Sequence, residues 1–279
     1  MHEDVLVAVA RAIDRGEEAA LVTIVAAHGS TPQRVGAKML VFSDGRTTGT
    51  IGGGCYENDA VGKARQAIGS RKPQLVHYDL ADSFAEETGL ICGGQMDVYI
   101  DPIEPAPRLY LIGAGHVALH LARVAHEAGF RIHVVDDREK FANRERFPDA
   151  DELIVDDIPG WLQRAELAPT TYVVVLTRGH RHDLGALRAL APRALRYVGL
   201  IGSRAKIARL YEALQAEGTP AESLSRIYAP IGLDIGAVTP QEIAISIAAE
   251  LIAVRYGKIL EPDVAALSMR WTPPHHGTN

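Results

Sequence analysis

Two cysteines and two clusters of glycine are the residues of this chain whose types and spacing could do chemistry. Cys55 follows three glycines in Gly52-Gly53-Gly54-Cys55-Tyr56-Glu57, and Cys92 opens Cys92-Gly93-Gly94. Glycine beside a thiol lets another backbone or a ligand come close. A cysteine that starts a helix sits where the dipole favours the reactive thiolate. Singly, each cysteine reads as a small buried residue. As a pair in a repeated context, they could ligate molybdenum, carry sulfur or form a redox-sensitive disulfide. Whether they are adjacent in space is open at this point. A polar loop from His28 to Lys38 offers Arg34 and Lys38 to an anion, with an ordinary surface loop as the default.

The second glycine cluster is Gly113-Ala114-Gly115-His116-Val117-Ala118, after the apolar run Leu109 to Ile112. It reads as strand, tight turn and helix. Asp136 closes the next apolar strand, Ile132 to Val135, at about the spacing of a dinucleotide-binding fold. Gly113 permits the bend, Gly115 lets a phosphate approach the backbone, and Ala118 allows close helix packing. The first N–H groups of such a helix have no internal partner, and the dipole there favours negative charge. Asp136 is placed to accept a ribose. Asp137 and Arg138 follow it, so any preference for a bare ribose over a 2′-phosphate is weak.

Two more polar loops follow strand patterns. Thr177-Arg178-Gly179-His180-Arg181-His182-Asp183 comes after Tyr172 to Leu176, and Gly202-Ser203-Arg204 after Tyr197 to Ile201. Arg178, His180, Arg181 and Arg204 could together neutralise a diphosphate. His180, His182 and Asp183 are metal-ligand types, but no fourth ligand is identifiable. Asp183 capping the following helix is the plainer reading.

These loops need elements to position them. A helix opens the chain, with Val5, Val9, Ala12 and Ile13 on one face and Gly16 ending it. Strands are expected over residues 20–26, 38–42, 47–51, 74–80 and 96–103, with a hairpin turn at Ser43 to Arg46 and a helix over 55–68. Residues 1–104 are therefore expected to form a small mixed α/β domain. Pro102, Pro105 and Pro107 punctuate the chain as a stiff connection. Beyond it, strand and helix patterns alternate, so residues 105–260 are expected to form a Rossmann-like, doubly wound parallel sheet. Its further strands fall at 153–155, 172–176 and 197–201, with a sixth at 226–229. Thr239-Pro240-Gln241-Glu242 is a capping-box start for a helix with Ile243, Ile247, Leu251 and Val254 on one face. Residues 261–279 are expected to be a disordered tail.

The composition excludes several classes. The chain has 279 residues, 47% hydrophobic and 23% charged, which suits a globular protein with a sizeable core. A formal net charge of -6 argues against nucleic-acid and membrane partners. No apolar run is long enough to span a bilayer, and no signal-peptide pattern is visible. Two cysteines make no disulfide framework, so a cytoplasmic location is expected.

Several blocks in order resemble the XdhC/CoxI family, accessory proteins of xanthine dehydrogenase and related molybdenum hydroxylases. In the first half they are His28 to Pro32, Gly36 to Met39, Ile51 to Glu57, and Cys92 to Gly94. In the second half they are Gly113 to Ala118, Thr177 to His180, Gly199 to Arg204, Pro230 to Ala237, and Thr239 to Ala244. The resemblance covers residues 5–257. It implies a molybdenum-cofactor chaperone, more a cofactor binder than a catalyst. Such a protein binds molybdopterin or its dinucleotide form, supports its sulfuration with a cysteine desulfurase, and delivers it to a molybdenum hydroxylase. The expected cofactor-binding residues are Gly113, Gly115, His116, Asp136, Arg178, His180, Ser203, Arg204, Gly53 and Gly54, with the cofactor's phosphate end on the Gly113–Gly115 turn. Its molybdenum would face Cys55 and Cys92 across an interdomain cleft. A homodimer is compatible with this reading. The competing class is an NAD(P)-dependent oxidoreductase built on the same glycine turn. A redox-sensing scaffold with a Cys55–Cys92 disulfide is a third.

Overall fold

The computed structural model describes residues 2–80 and 93–270. Cys92 and residues 271–279 of the expected tail lie outside the described residues. The chain divides into two compact units, Met1–Ala106 and Pro107–Asn279. Among the described residues, no helix is long and apolar enough to cross a membrane.

The first unit is built on an antiparallel sheet. Its strands are β1 (Ala19–His28), β2 (Lys38–Phe42), β3 (Thr47–Gly49), β4 (Gln74–Asp79) and β5 (Gln95–Ile103), in the order β3-β2-β1-β5-β4. Side chains alternate between the two faces of a strand, and the burial pattern follows that rule. Helix α2 (Gly54–Ser70) covers one face. Ala60, Ala64 and Ala67 form its buried edge, and their small size lets it lie close on Val22, Ile24, Met39 and Val98. Helix α1 (His2–Arg15) packs Val5 and Ala12 against Leu40 and Phe42 on the opposite face. Ile13, expected on the buried side of α1, is exposed.

The second unit is a parallel sheet of β6 (Arg108–Ile112), β7 (Arg131–Asp136), β8 (Glu152–Val155), β9 (Tyr172–Val175) and β10 (Tyr197–Leu200). Their order, β10-β9-β6-β7-β8, is that of the dinucleotide-binding fold. The strands are apolar almost throughout because helices cover both faces. Helices α3 (His116–Glu127) and α8 (Pro240–Arg255) pack on one face through Leu121, Ala125, Ile247 and Leu251. Helices α4 (Ile158–Arg164), α5 (His180–Leu190) and α6 (Arg204–Ala216) cover the other through Leu162, Leu187, Leu190 and Leu210. The capping box of α8 is formed. Thr239 accepts from the Glu242 amide at 3.3 Å, and Glu242 accepts from the Thr239 amide at 2.9 Å.

Two expectations are corrected here. Residues 226–229 do not form a sixth strand. After the short helix α7 (Ala221–Ser225), Tyr228 makes a single parallel bridge to Gly199. Pro230 follows, and its missing N–H stops the ladder. Residues 261–270 are not a disordered tail. Pro262–Leu267 is a helix, α9, and the Asp234 amide donates to the Leu267 carbonyl at 2.6 Å. Ser268 Oγ also donates to the buried carboxylate of Glu250.

His133 on β7 is a buried polar group among mostly apolar strand residues. Its ring stacks on Tyr110 at 4.5 Å, and Nδ1 lies 3.0 Å from Glu152 Oε2. Burial lowers its pKa, and the hydrogen bond and charge of Glu152 only partly oppose that. The unfolded chain therefore takes up this proton more readily than the folded one. This contribution is complete above the unfolded value, about 6.5, and is lost progressively below it. Thermal unfolding followed from about pH 7.5 to about pH 5 is expected to show a falling midpoint, with a shallower fall in His133→Phe. An unchanged acid slope in that variant would remove His133 as the cause.

Candidate functional site

The order of the parallel strands puts a topological switch point between β6 and β9. Ligands of such sheets bind outside the carboxyl ends of the strands at that point. The loops after β10, β9, β6 and β7 therefore share one edge. Gly113, Gly115, His116, Asp136, Arg178, His180, Ser203 and Arg204 all stand on it.

The turn after β6 is tight because β9 lies close. A Cβ on Gly113 would sit 2.6 Å from the Leu176 carbonyl oxygen, and its φ of 107° suits only glycine. Gly115 is different. Its φ is -72°, it is the N-cap of α3, and a Cβ there would meet nothing within 4 Å. No side chain caps α3 or α5, so the first-turn N–H groups of both face the edge without a side-chain acceptor. His116 and His180 are the first residues of these helices and both are exposed. Ser203 caps α6 by accepting from the Lys206 amide at 3.3 Å, so its oxygen is engaged. Arg204 is exposed beside it.

Asp136 does not present its carboxylate to a ribose. It is 1% exposed. Oδ2 accepts from the Ala114 amide at 2.8 Å and from Arg138 Nη2 at 3.0 Å. Oδ1 accepts from the Arg138 amide and Nε. Burial pushes this carboxyl up, but the Arg138 guanidinium and the Ala114 amide hold it below the usual carboxylate range. Its work is to fix the glycine turn. Arg146 does the same from the other side, donating to the Ala114 carbonyl at 3.1 Å. Arg178 is 45% exposed and pairs with Asp137 at 2.8 Å, joining the loops after the two strands that flank β6.

Asp183 is fully buried in the first turn of α5. The Thr177 hydroxyl donates to it at 2.7 Å, and Lys206 Nζ lies 2.6 Å away. Lys206 thus ties α6 to α5 and supports the edge from behind. Asp183 is thus paired inside the fold, with Thr177 and Lys206, and does more than cap the helix. Among the described residues, no group of three or more His, Cys, Asp or Glu side chains could hold a metal ion.

In the first unit the three glycine-bearing motifs converge. A Cβ on Gly52 would sit 2.6 Å from Pro32, and one on Gly94 would sit 2.6 Å from the His28 carbonyl oxygen. The His28–Lys38 loop is thereby wedged against both the turn that precedes Cys55 and the glycines that follow Cys92. Cys55, the second residue of α2, is half-buried. The turn before it is closed by Glu57. That carboxylate accepts from the Thr50 hydroxyl at 2.5 Å and from the Ile51 and Gly53 amides at 3.0 Å. Burial raises Glu57, but these donors bring it below the usual range. The Gly53 amide is thus not free for a ligand, and Gly54 is exposed. Glu57, Arg146 and Lys206 had no expected role, and Arg138 was expected only to bear on the ribose preference. Only Glu57 carried a local signal, an acid placed to reach back to a helix start.

Comparison with known proteins gives a consistent picture. Residues 109–251 match the family model described as the XdhC Rossmann domain, and residues 12–79 match that of the XdhC and CoxI family. The uncharacterized protein YqeB of Escherichia coli K12 is 39% identical over 85% of this chain, which spans only 43% of YqeB's length. A Bacillus subtilis protein named as a probable xanthine dehydrogenase component is 28% identical over 86% of this chain and 94% of its own. The molybdenum cofactor insertion chaperone PaoD of Escherichia coli K12 is 25% identical over 91% of this chain and 89% of its own. A crystal structure of a xanthine dehydrogenase from Bacillus halodurans matches with a TM-score of 0.51 at 25% identity. That match covers 94% of this chain and 99% of the other.

The ion pair behind the edge is testable. Lys206→Met leaves Asp183 buried with only a hydroxyl, and is expected to cost about 3 kcal/mol. Urea unfolding at constant m-value reads this as a lower midpoint. Lys206→Met combined with Asp183→Leu should recover much of the loss. A single variant as stable as the parent would show that the pair carries nothing.

Proposed function

We propose, from the premise that this chain belongs to the XdhC and CoxI family, that it carries molybdenum cofactor as cargo and hands it to a molybdenum hydroxylase of the xanthine dehydrogenase type. The observation that supports this most is the open edge of the second unit. Two helix N-termini without side-chain caps and the guanidiniums of Arg178 and Arg204 face one edge, with free space above Gly115. That is a donor set for a phosphate or diphosphate. It fits the phosphate end of molybdopterin or of its dinucleotide form. Among the described residues, nothing on the edge pairs a base with a nucleophile, which suits holding rather than turnover.

Cys55, beside the convergent loops of the first unit, is the thiol we assign to the molybdenum and sulfur end, with Cys92 as its partner. In this reading a cysteine desulfurase supplies the sulfur. The inward orientation of Asp136 weighs against the NAD(P)-dependent oxidoreductase, because the acid that would take ribose hydroxyls is engaged by Ala114 and Arg138.

Anaerobic purification followed by molybdenum analysis and mass spectrometry of bound pterin tests this reading. Gly115→Asp is the informative variant. Its backbone suits any residue and the space is open, so folding is expected to persist. The added carboxylate occupies the helix start and is expected to weaken pterin binding roughly a hundredfold, equivalent to about 3 kcal/mol. Cys55→Ala and Cys92→Ala are expected to retain pterin but lose its sulfurated form. Tight NADH or NADPH binding with hydride transfer, or cysteine variants that deliver sulfurated cofactor like the parent, would overturn it.

A further inference from the structure

Residues 230–238 of the second unit form a loop that is pinned at both ends. The Ile231 amide donates to the Leu200 carbonyl at 3.1 Å, so the chain leaves the sheet at the carboxyl end of β10. The Gly232 amide donates to the buried carboxylate of Glu250 at 3.0 Å, and the buried Ser246 hydroxyl donates to the Leu233 carbonyl at 2.6 Å. The Asp234 amide is held by the Leu267 carbonyl. At the other end the Val238 amide donates to Glu242 Oε2 at 2.9 Å, just before α8 begins. Between these anchors the loop holds two aliphatic side chains in solvent, Ile235 at 51% and Val238 at 80% exposure.

Local structure does not account for that exposure. An apolar residue just before an N-cap often packs on the fourth residue of its helix. Val238 precedes the Thr239 cap, but at its exposure Ile243 does not cover it. The place of the loop is what distinguishes it from a scatter of single surface aliphatics. β10, β9 and β6 are neighbours, so two strand spacings, about 10 Å, separate the start of the loop from the glycine turn along the carboxyl edge. Leu233 belongs to the same apolar core as Ala114 and Ala118. The donors on that edge are all polar, namely helix-start amides with Arg178 and Arg204. Small-molecule sites are mostly apolar with a few polar groups. Ile235 and Val238 supply the apolar surface that the donors lack.

We infer that Ile235 and Val238 form the seat for a flat heteroaromatic ring whose phosphate-bearing side chain reaches the start of α3. The inference rests on the cargo reading and deepens it, since the ring is then that of a phosphorylated pterin. A bicyclic ring with a short phosphorylated side chain covers the span between the loop and the glycine turn. Aliphatic groups against the face of such a ring gain by excluding water and by dispersion. A backbone fixed on both sides of the seat means that little ordering is needed when the ring arrives, which favours binding. The buried Glu250 and Ser246 act at one remove, as positioning residues for the loop.

Titration of the full chain with neopterin monophosphate, followed by the fluorescence of the pterin itself, tests the seat. Glycerol phosphate, which has the phosphate but no ring, is measured by competition. The parent is expected to prefer the pterin by roughly tenfold or more. Ile235→Ser with Val238→Ser is expected to lose about that factor for the pterin and to hold glycerol phosphate like the parent, because only aliphatic contacts are removed. Both positions are exposed, so the fold should persist. Gly115→Asp is expected to weaken both ligands, which separates the phosphate from the ring. Leu260→Ser, at an aliphatic 83% exposed beyond the far end of α8, should match the parent. A double variant that binds the pterin like the parent, or a parent that does not prefer it to glycerol phosphate, would overturn the seat and leave the cargo reading standing. If the parent binds neither ligand, the cargo reading falls and the seat with it.

Discussion

The second unit depends on how the carboxylate of Asp136 is buried. A charge removed from water needs partners, and Asp136 finds them in the Ala114 amide and the Arg138 side chain and amide. Those bonds fix the end of β7 to the turn after β6. The turn is then clamped between Asp136 on one side and the carbonyl of Leu176 on the other, which leaves room only for glycine at 113. Once the turn is set, the start of α3 can point only along the strand edge. The uncapped N–H groups at Gly115 and beyond are a consequence of that clamp rather than a separate feature.

The two glycine motifs look alike as sequence and differ as structures. In the first unit Glu57 reaches back and fills the turn at Gly52 and Gly53, accepting three donors on one oxygen. That turn is closed around its own acid, and what it achieves is the placement of Cys55 at the head of α2. In the second unit the acid takes one amide from the side and leaves the helix start free. One motif therefore orients a thiol, and the other leaves its helix start without a side-chain cap. The difference lies in where the carboxylate comes from, four residues along the same helix or a neighbouring strand.

The sheet and the motif positions were legible because they rest on local pattern. Continuous apolar runs such as Leu109–Ile112 and Tyr172–Val175, separated by helical periodicity, imply parallel strands, and Thr239 with Glu242 names its own helix start. What was not legible rests mostly on distant partners. Nothing near Asp136 says that it turns inward to accept from the Ala114 amide, 22 residues away. Nothing near Asp183 points to Lys206, which arrives from the next helix. Residues 226–229 have strand composition, but Pro230 cuts the ladder after one bridge. Residues 261–270 look like a tail because the buried Glu250 that holds Ser268 lies on α8 and is itself one of the least expected core residues. Burial raises the Glu250 carboxyl, and the Tyr197 hydroxyl, the Gly232 amide and Ser268 compensate only in part.

Under the proposed carrier role the cargo must also be released, and the open edge has the character that release would require. Its donors are backbone amides at a solvent-facing helix start and guanidiniums that are at least partly exposed. Charge-assisted bonds of this kind are individually modest and sensitive to salt. Arg178 already holds Asp137, so a phosphate proposed to bind there would replace one anion with another and gain less than it would from a bare cation. The parts that do not exchange, Asp136 with Arg138 and Asp183 with Lys206, are buried behind the edge and shape it. A rigid support beneath weak, replaceable contacts is the arrangement expected of a site that holds a ligand in order to pass it on.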